Sequence, residues 1–158
     1  MSQILATEEM PVLGHKYNKS NLAIIIPKEY KGYPLVAIKN EAFKKEIRIK
    51  SVNISDNISV IGYEAFSECK SLTNIEIPTS IDTIRNYAFE GCTSLTSIVI
   101  PINVGYMGSY VFNNCTNLTV YCVAPGKPDK WDDDWGGNVN KIAVSYTHLR
   151  AHETPEHL

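Results

Sequence analysis

The phenylalanines of this chain follow one another at intervals of 23 residues, at Phe43, Phe66, Phe89 and Phe112. The sequence around them also recurs: residues 65–78 read AFSECKSLTNIEIP, and residues 88–101 read AFEGCTSLTSIVIP. A fixed period of this length is typical of proteins built from stacked structural repeats, each of which buries its apolar edge only against its neighbours. The chain is therefore predicted to fold as a solenoid.

Other positions of the repeat are apolar in every copy, whereas the positions between them hold Lys, Ser, Thr, Asn, Asp and Glu. This contrast separates a buried ladder of side chains from a solvated surface. The columns that precede phenylalanine are Ile38, Ile61, Ile84 and Met107, and Leu35, Ile58, Ile81 and Val104. The columns that follow it are Ile49, Leu72, Leu95 and Leu118; Val52, Ile75, Ile98 and Tyr121; and Ile54, Ile77, Ile100 and Val123. We expect equivalent residues of successive coils to pack on one another.

Each unit combines a strand pattern with a second apolar pattern. The segments LTNIEIP and LTSIVIP alternate as short strands do, and Pro78 and Pro101 end them because proline has no N–H for the ladder. These strands are predicted to form a parallel sheet on one face. The segments IGYEAFSEC, IRNYAFEGC and MGSYVFNNC have apolar spacings that predict short helical turns or irregular segments on the other face. The expected fold is an α/β solenoid of about 4 to 5 coils.

The unit LxxIxIPxxIxxIxxxAFxxCxxL resembles the leucine-rich repeat of the BspA-like, or Treponema pallidum, type. The likeness runs from Leu22 to Val123, and LTVYC followed by KPDKW resembles the terminal cap of those proteins. The first unit departs from the pattern, because five extra residues lie between Pro27 and Phe43 and Glu46 occupies the cysteine column. The resemblance implies a non-catalytic protein, secreted or on the surface of host-associated bacteria or some protozoa, that adheres to host matrix proteins or to other microbes.

The chain is divided into four segments on these patterns. Residues 1–20 are a lead-in of undefined structure, residues 21–123 the solenoid, residues 124–142 a C-terminal cap, and residues 143–158 a tail. Residues 144–154, VSYTHLRAHET, resemble the translation of a transposase-type sequencing adapter. We therefore interpret the tail as a non-native, adapter-derived segment.

Three of the four histidines lie in this tail, at His148, His152 and His157. The first two are four residues apart and would share a helix face, as two zinc ligands do. Leu149 stands where a zinc protease has its glutamate, and Pro155 interrupts a helix before the third histidine. The tail is interpreted as an artefact rather than a metal site, and no metal or cofactor is expected.

The column formed by Cys69, Cys92 and Cys115 invites a metal or disulfide interpretation. Coils about 5 Å apart would place the outer two thiols about 10 Å from each other, which is too far for one metal ion. Parallel side-chain directions also disfavour a disulfide between adjacent coils. We therefore expect three small buried residues. Cys122 falls between two ladder positions of LTVYCVA, and it is expected to face outward as the most exposed thiol.

The acidic run of Asp132, Asp133 and Asp134 lies between Trp131 and Trp135. Calcium-binding loops alternate their acidic ligands, whereas three consecutive carboxylates point in different directions. We expect a cap in which the tryptophans cover the apolar edge of the last coil while the carboxylates face water.

Composition and motifs argue against several functional classes. The net charge is −2 and the basic residues are not clustered, so nucleic acid is not an expected partner. No stretch approaches the roughly 20 apolar residues of a bilayer span, so membrane insertion is not expected. The N-terminus lacks the pattern of a signal peptide. The motifs GxSxG, HExxH, GxGxxG and the P-loop are absent, so the chain is not expected to be an enzyme.

The outward positions of the predicted sheet form the candidate interaction face, which is expected to become more apolar toward the C-terminal coils. These residues are Ser51, Asn53, Asn74, Glu76, Ser97, Val99, Val120 and Cys122. Repeat arrays commonly bind partners through such a face. The first hypothesis is a protein-interaction module of a bacterial surface or secreted adhesin that binds host or microbial surface proteins. The second is a cytoplasmic scaffold, or an array appended to an effector or catalytic domain, which the lack of a signal peptide and the reduced cysteines favour.

Overall fold

The structure, a computed structural model, describes residues 4–6, 22–124 and 126–145 of the chain. Twelve strands and no helix occur in these residues, and hence no helix there has the length or the apolar character of a membrane span. The strands are β1 (Ile4–Ala6), β2 (Leu22–Ile26), β3 (Glu29–Tyr30), β4 (Tyr33–Ile38), β5 (Ile49–Ile54), β6 (Val60–Ile61), β7 (Asn74–Glu76), β8 (Thr83–Ile84), β9 (Ser97–Ile100), β10 (Tyr106–Met107), β11 (Thr119–Val123) and β12 (Lys141–Ser145).

The longer strands stack in parallel and form one side of the solenoid, which we call the long-strand wall: β2, β5, β7, β9, β11 and β12. The wall divides into two ladders, β2-β5-β7 and β9-β11-β12. Its register pairs equivalent residues of successive repeats, as when Val52 lies beside Ile75. Side chains alternate between the core and solvent, so that Ile98 and Ile100 are buried while Ser97 and Val99 are exposed. The predicted solenoid with a parallel sheet is confirmed.

The strands β1, β4, β6, β8 and β10, all but β4 only two or three residues long, stack in the same way and form the short-strand wall. A parallel bridge from Met107 to Trp131 carries this wall one coil further. The extra length of the first unit is accommodated by a hairpin, because β3 pairs antiparallel with β4 through Tyr30 and Tyr33. The two residues of its turn, Lys31 and Gly32, have φ values of 51° and 82°. Positive φ at both positions is the geometry of the tight turns that join antiparallel strands.

The third side, which we call the turn wall, consists of residues 39–46, 62–69, 85–92 and 108–115. Its amides alternate in direction: the Phe66 N–H donates to Ala88 of the next coil at 2.8 Å, whereas the Ser67 N–H donates to Glu64 of its own coil at 3.1 Å. Glu64 and Glu68 have φ values of 52° and 57°, in the left-handed region that interrupts a right-handed helix. Of the two predicted forms, helical turns and irregular segments, this wall has the irregular one, because alternate amides bond to the next coil. The described part of the solenoid is therefore all β rather than the predicted α/β.

The phenylalanine column forms a continuous stack in the core, as the sequence predicts. Ring centroids are 5.3 Å apart from Phe43 to Phe66, and the two rings are within 5° of parallel. The next two steps, to Phe89 and to Phe112, are 5.4 and 5.6 Å. Burial of these large apolar side chains stabilises the stacked coils, which share one continuous hydrophobic core.

The C-terminal segment forms a further coil of the same kind. Trp135 lies 23 residues after Phe112 and takes the next place in the ring stack, edge to face at 6.1 Å. Trp131 packs edge to face on Trp135 at 5.1 Å and donates its indole N–H to the Val104 carbonyl at 2.8 Å. Both indoles are buried over the end of the stack. The strand β12 then pairs with β11 as far as Ser145. It therefore includes the first three residues of the predicted adapter-derived tail, which begins at residue 143.

Candidate interaction face

Six of the predicted face residues lie where the sequence places them, on the outer surface of the long-strand wall. Register pairs Ser51 with Asn74 and Asn53 with Glu76, so these side chains form two adjacent rows across the coils. The strand β7 has the burial pattern of one inward residue between two exposed ones, and β9 repeats the pattern. The inward residues pack into the hydrophobic core, whereas the outward residues are exposed to solvent. The six are Ser51, Asn53, Asn74, Glu76, Ser97 and Val99.

The placement of Val120 and Cys122 on this face is wrong. Val120 is 0% exposed and Cys122 is 4% exposed, and both point into the core. Their partners in β9 are the buried Ile98 and Ile100. Because side chains alternate strictly along a strand, the residues that face outward in β11 are instead Thr119, Tyr121 and Val123.

The cause of the error is that the step from β9 to β11 is one residue shorter than the 23-residue period. Leu95 and Leu118 keep the 23-residue spacing, but Ile98 pairs with Val120, which is only 22 residues later. A change of one residue exchanges every inward side chain for an outward one. The signal in the sequence was Tyr121, a polar-tipped residue in a column that otherwise holds Val or Ile.

With this correction, the face consists of two rows of different character. One row carries small or polar side chains and the other carries larger ones. The first row is Ala23, Ser51, Asn74, Ser97 and Thr119, and the second is Ile25, Asn53, Glu76, Val99 and Tyr121. Ile25 is 65% exposed at one end and Val99 is 37% exposed near the other. The expected gradient from polar to apolar is therefore wrong, since apolar groups flank a polar centre.

The first three coils form a shallow depression of about 330 Å³ over this face. Asn53, Asn74 and Glu76 line its polar part, and Ile25 lines its apolar part. Amide and carboxylate groups beside exposed aliphatic carbon are the mixture found in protein–protein contact surfaces.

The cysteine column is buried, as predicted, and each thiol has the same partner. The Sγ atoms of Cys69, Cys92 and Cys115 donate to the phenylalanine carbonyl of the preceding coil, at 3.1, 3.2 and 2.9 Å. Burial raises the pKa of the Cys69 thiol to about 12. The pKa of Cys122 is raised to about 12 for the same reason, so this residue is not the exposed thiol that the sequence predicted. A thiol in this state is a poor nucleophile and a poor metal ligand at neutral pH.

The acidic run is bound into the last coil by separate partners. The Ser109 hydroxyl donates to Asp132 at 2.7 Å, and the Lys127 ammonium donates to Asp133 at 2.7 Å. Within the described ranges, no group of three His, Cys, Asp or Glu side chains is placed to hold a metal ion. The three tail histidines, His148, His152 and His157, lie outside the described residues.

The parallel coils, the phenylalanine stack and the exposed face together define a leucine-rich-repeat solenoid. A family model described as the BspA type leucine rich repeat region matches residues 20–126 in six copies. The chain belongs to this family, and the resemblance stated from the sequence is confirmed. No curated protein matches the chain.

Solved structures agree with this assignment. A leucine-rich-repeat protein of T. pallidum, TpLRR, matches with 28% identity and a TM-score of 0.63, over 80% of this chain and 53% of its own length. A leucine-rich-repeat protein of Bacteroides ovatus matches with 25% identity and a TM-score of 0.66, over 78% of this chain and 36% of its own. A leucine rich cell surface protein of Faecalibacterium prausnitzii, at 19% identity and a TM-score of 0.50, shares the fold over 78% of this chain and 47% of its own. The chain thus spans about half of the first of these structures and about a third of the second.

Proposed function

We propose that this chain is a non-catalytic module that binds other proteins through the outer surface of its long-strand wall. The observation that supports this most directly is the pair of rows in which Ser51, Asn53, Asn74 and Glu76 stand side by side on successive strands. Six parallel strands spaced about 4.8 Å apart give a surface roughly 24 Å long. That length fits an extended segment or one side of a protein domain rather than a small substrate.

The finer proposal is that the module belongs to a secreted or cell-surface adhesin that binds host or microbial surface proteins. It is supported by the family to which the chain belongs, whose members are known mainly from the surfaces of host-associated bacteria. Repetition of similar coils also supports it, because many weak contacts in a longer array add up to useful affinity.

The test is binding of the purified chain to immobilised fibronectin, laminin and type I collagen, measured by surface plasmon resonance. We expect saturable binding to at least one of them. Glu76→Arg should weaken that binding by about tenfold, because it replaces a central side chain of the face and reverses its charge.

The matched control is Glu90→Arg, which makes the same charge change on the turn wall and should leave binding unchanged. Equal loss in both variants would show an effect of net charge and would exclude the face. Binding to none of the three proteins would exclude matrix adhesion for this segment.

The cytoplasmic scaffold is a second candidate, and the thiols favour it. All four cysteines are free, at Cys69, Cys92, Cys115 and Cys122. Proteins of oxidising compartments commonly use cysteine in disulfides, whereas reduced cysteine is usual in the cytoplasm. Fractionation of the producing cells distinguishes the two candidates, since recovery of the native protein only from surface or secreted fractions would exclude the scaffold.

A further inference from the structure

A second concave feature lies where the short-strand wall meets the turn wall, away from the proposed protein-binding face. It is a bowl of about 490 Å³, within the range of small-molecule sites. The residues that line it are Tyr63, Thr83, Arg85, Asn86 and Tyr106.

The bowl lies beside Arg85, whose equivalents in the coils before and after it are glycines. The Arg85 N–H donates to Ile61 at 3.0 Å, and the Gly108 N–H donates to Ile84 at 2.9 Å, so Gly62, Arg85 and Gly108 form one column. The space beside Gly108 is closed to any side chain, because a Cβ there would lie 2.0 Å from the Asn86 amide oxygen. Arginine in this column therefore stands between two positions that carry no side chain.

The groups around the bowl are donors and aromatic rings. The Arg85 guanidinium has no hydrogen-bond or ion-pair partner among the described residues, so its N–H donors are available. Tyr63 is 38% exposed and Tyr106 is 41% exposed. They belong to the coils before and after that of Arg85, so two coil spacings, or roughly 10 Å, separate the strands that carry them. The nearby Asp82 carboxylate is already bound by the Thr83 hydroxyl at 2.7 Å.

We propose that this bowl binds a carboxylated sugar, such as a uronic acid residue of an acidic glycan. The guanidinium fork of Arg85 matches a carboxylate in two parallel hydrogen bonds. The exposed tyrosine rings offer apolar surface to the C–H face of a sugar ring. The Tyr63 hydroxyl is bound to Glu64, whose carboxylate is paired with Lys44. The amide nitrogen of Asn86, which has no described partner, adds a donor for a sugar oxygen. An acidic peptide is disfavoured, because the bowl offers no free strand edge for peptide hydrogen bonds.

The experiment titrates the full chain, isotopically labelled for NMR, with a hyaluronan tetrasaccharide and with the same tetrasaccharide after reduction of its carboxyl groups. We expect saturable shifts at Arg85, Tyr63 and Tyr106 with the acidic sugar, and at least tenfold weaker binding of the reduced one. Arg85→Gln should weaken binding of the acidic sugar by about tenfold. Arg85→Lys should bind this sugar with an affinity between those of Arg85→Gln and the unaltered chain, because lysine keeps the positive charge but cannot form the two parallel hydrogen bonds.

The control variant is Lys70→Gln, which removes the same charge from an exposed position outside the bowl and should bind like the unaltered chain. Thermal unfolding of each variant verifies that the fold is intact. Equal affinity of the acidic and reduced sugars, equal affinity of Arg85→Gln and the unaltered chain, or absence of binding would overturn the proposal. So would saturable binding of penta-glutamate without binding of the sugar. None of these results bears on the long-strand wall, so this proposal and the protein-binding one fail separately.

Discussion

The Cys92 thiol donates a hydrogen bond of 3.2 Å to the carbonyl oxygen of Phe66 in the preceding coil. The same bond joins Cys69 to Phe43 and Cys115 to Phe89. The cysteine column thus connects neighbouring coils on the turn wall next to the ring stack. Its chemistry is that of a small buried donor rather than of a reactive thiol.

Burial and the raised pKa values of Cys69, Cys92 and Cys122 predict that these thiols do not react in the folded protein. Incubation with iodoacetamide at pH 8, followed by mass spectrometry, should show no modification of the native chain. The same treatment in guanidinium chloride should modify all four cysteines. Rapid labelling of Cys122 alone in native conditions would instead support the outward orientation that the sequence suggested.

Removal of the Trp135 ring should be costly, because this ring is buried at the end of the phenylalanine stack. Trp135→Ala takes a buried ring from the end of the phenylalanine stack, and we expect a loss of about 3 to 5 kcal/mol in the free energy of unfolding. Trp135→Phe should cost less, about 1 to 2 kcal/mol, because a phenyl ring continues the column formed by Phe89 and Phe112. Urea denaturation measures both. An equal loss in the two variants would contradict the continuity of the ring stack.

The register of β11 predicts that substitutions at two adjacent positions, one inward and one outward, destabilise the fold to very different extents. Val120→Asn buries an amide in the core and should cost about 3 kcal/mol or more of unfolding free energy. Tyr121→Asn changes an outward residue and should cost about 1 kcal/mol or less. Urea denaturation measures both losses. A larger loss for Tyr121→Asn than for Val120→Asn would support the strict 23-residue spacing, in which Tyr121 faces the core and is not part of the face.

The pKa of Glu46 is lowered chiefly by hydrogen bonds from Arg48, at 2.7 and 2.9 Å. A carboxyl group whose pKa is lower in the folded state stabilises the fold above its unfolded pKa of about 4.3, and this stabilisation is lost as the pH falls through the folded value. Arg48→Gln should therefore raise the Glu46 pKa in an NMR titration and flatten the acid limb of the stability curve. Lys45→Gln, a neighbouring change of the same charge, should leave the Glu46 pKa unchanged.

The coil itself could be predicted because its determinants are local and repeated. Proline ends the strands, apolar residues alternate with outward-facing ones along them, and phenylalanine recurs at the same position in each unit. The turn wall could not be predicted in the same way. Its apolar residues have nearly helical spacing, but left-handed residues such as Glu64 and Glu68 interrupt a helix in each coil, and alternate amides bond to the next coil. The spacing of apolar residues does not show whether a backbone N–H donates to a carbonyl of its own coil or to one of the next coil.

The outward orientation of side chains on the long-strand wall was predicted correctly where the period is regular and incorrectly where it changes. Six residues between Ser51 and Val99 needed only the alternation of a strand. Val120 and Cys122 needed the knowledge that one residue is missing after Leu118, which becomes visible when β11 is laid beside β9. The bowl around Arg85 was not predicted at all, because its lining combines residues of three successive coils, such as Tyr63, Arg85 and Tyr106.

Photo-crosslinking is the most direct test of the proposal that the long-strand wall is a protein-binding surface. Benzoylphenylalanine would replace Glu76 on the face in one sample and Glu90 on the turn wall in another, each bound to whichever matrix protein the chain recognises. We predict efficient crosslinks from position 76 and none above background from position 90. Crosslinks from position 90 alone, or from both positions equally, would contradict the proposed binding surface.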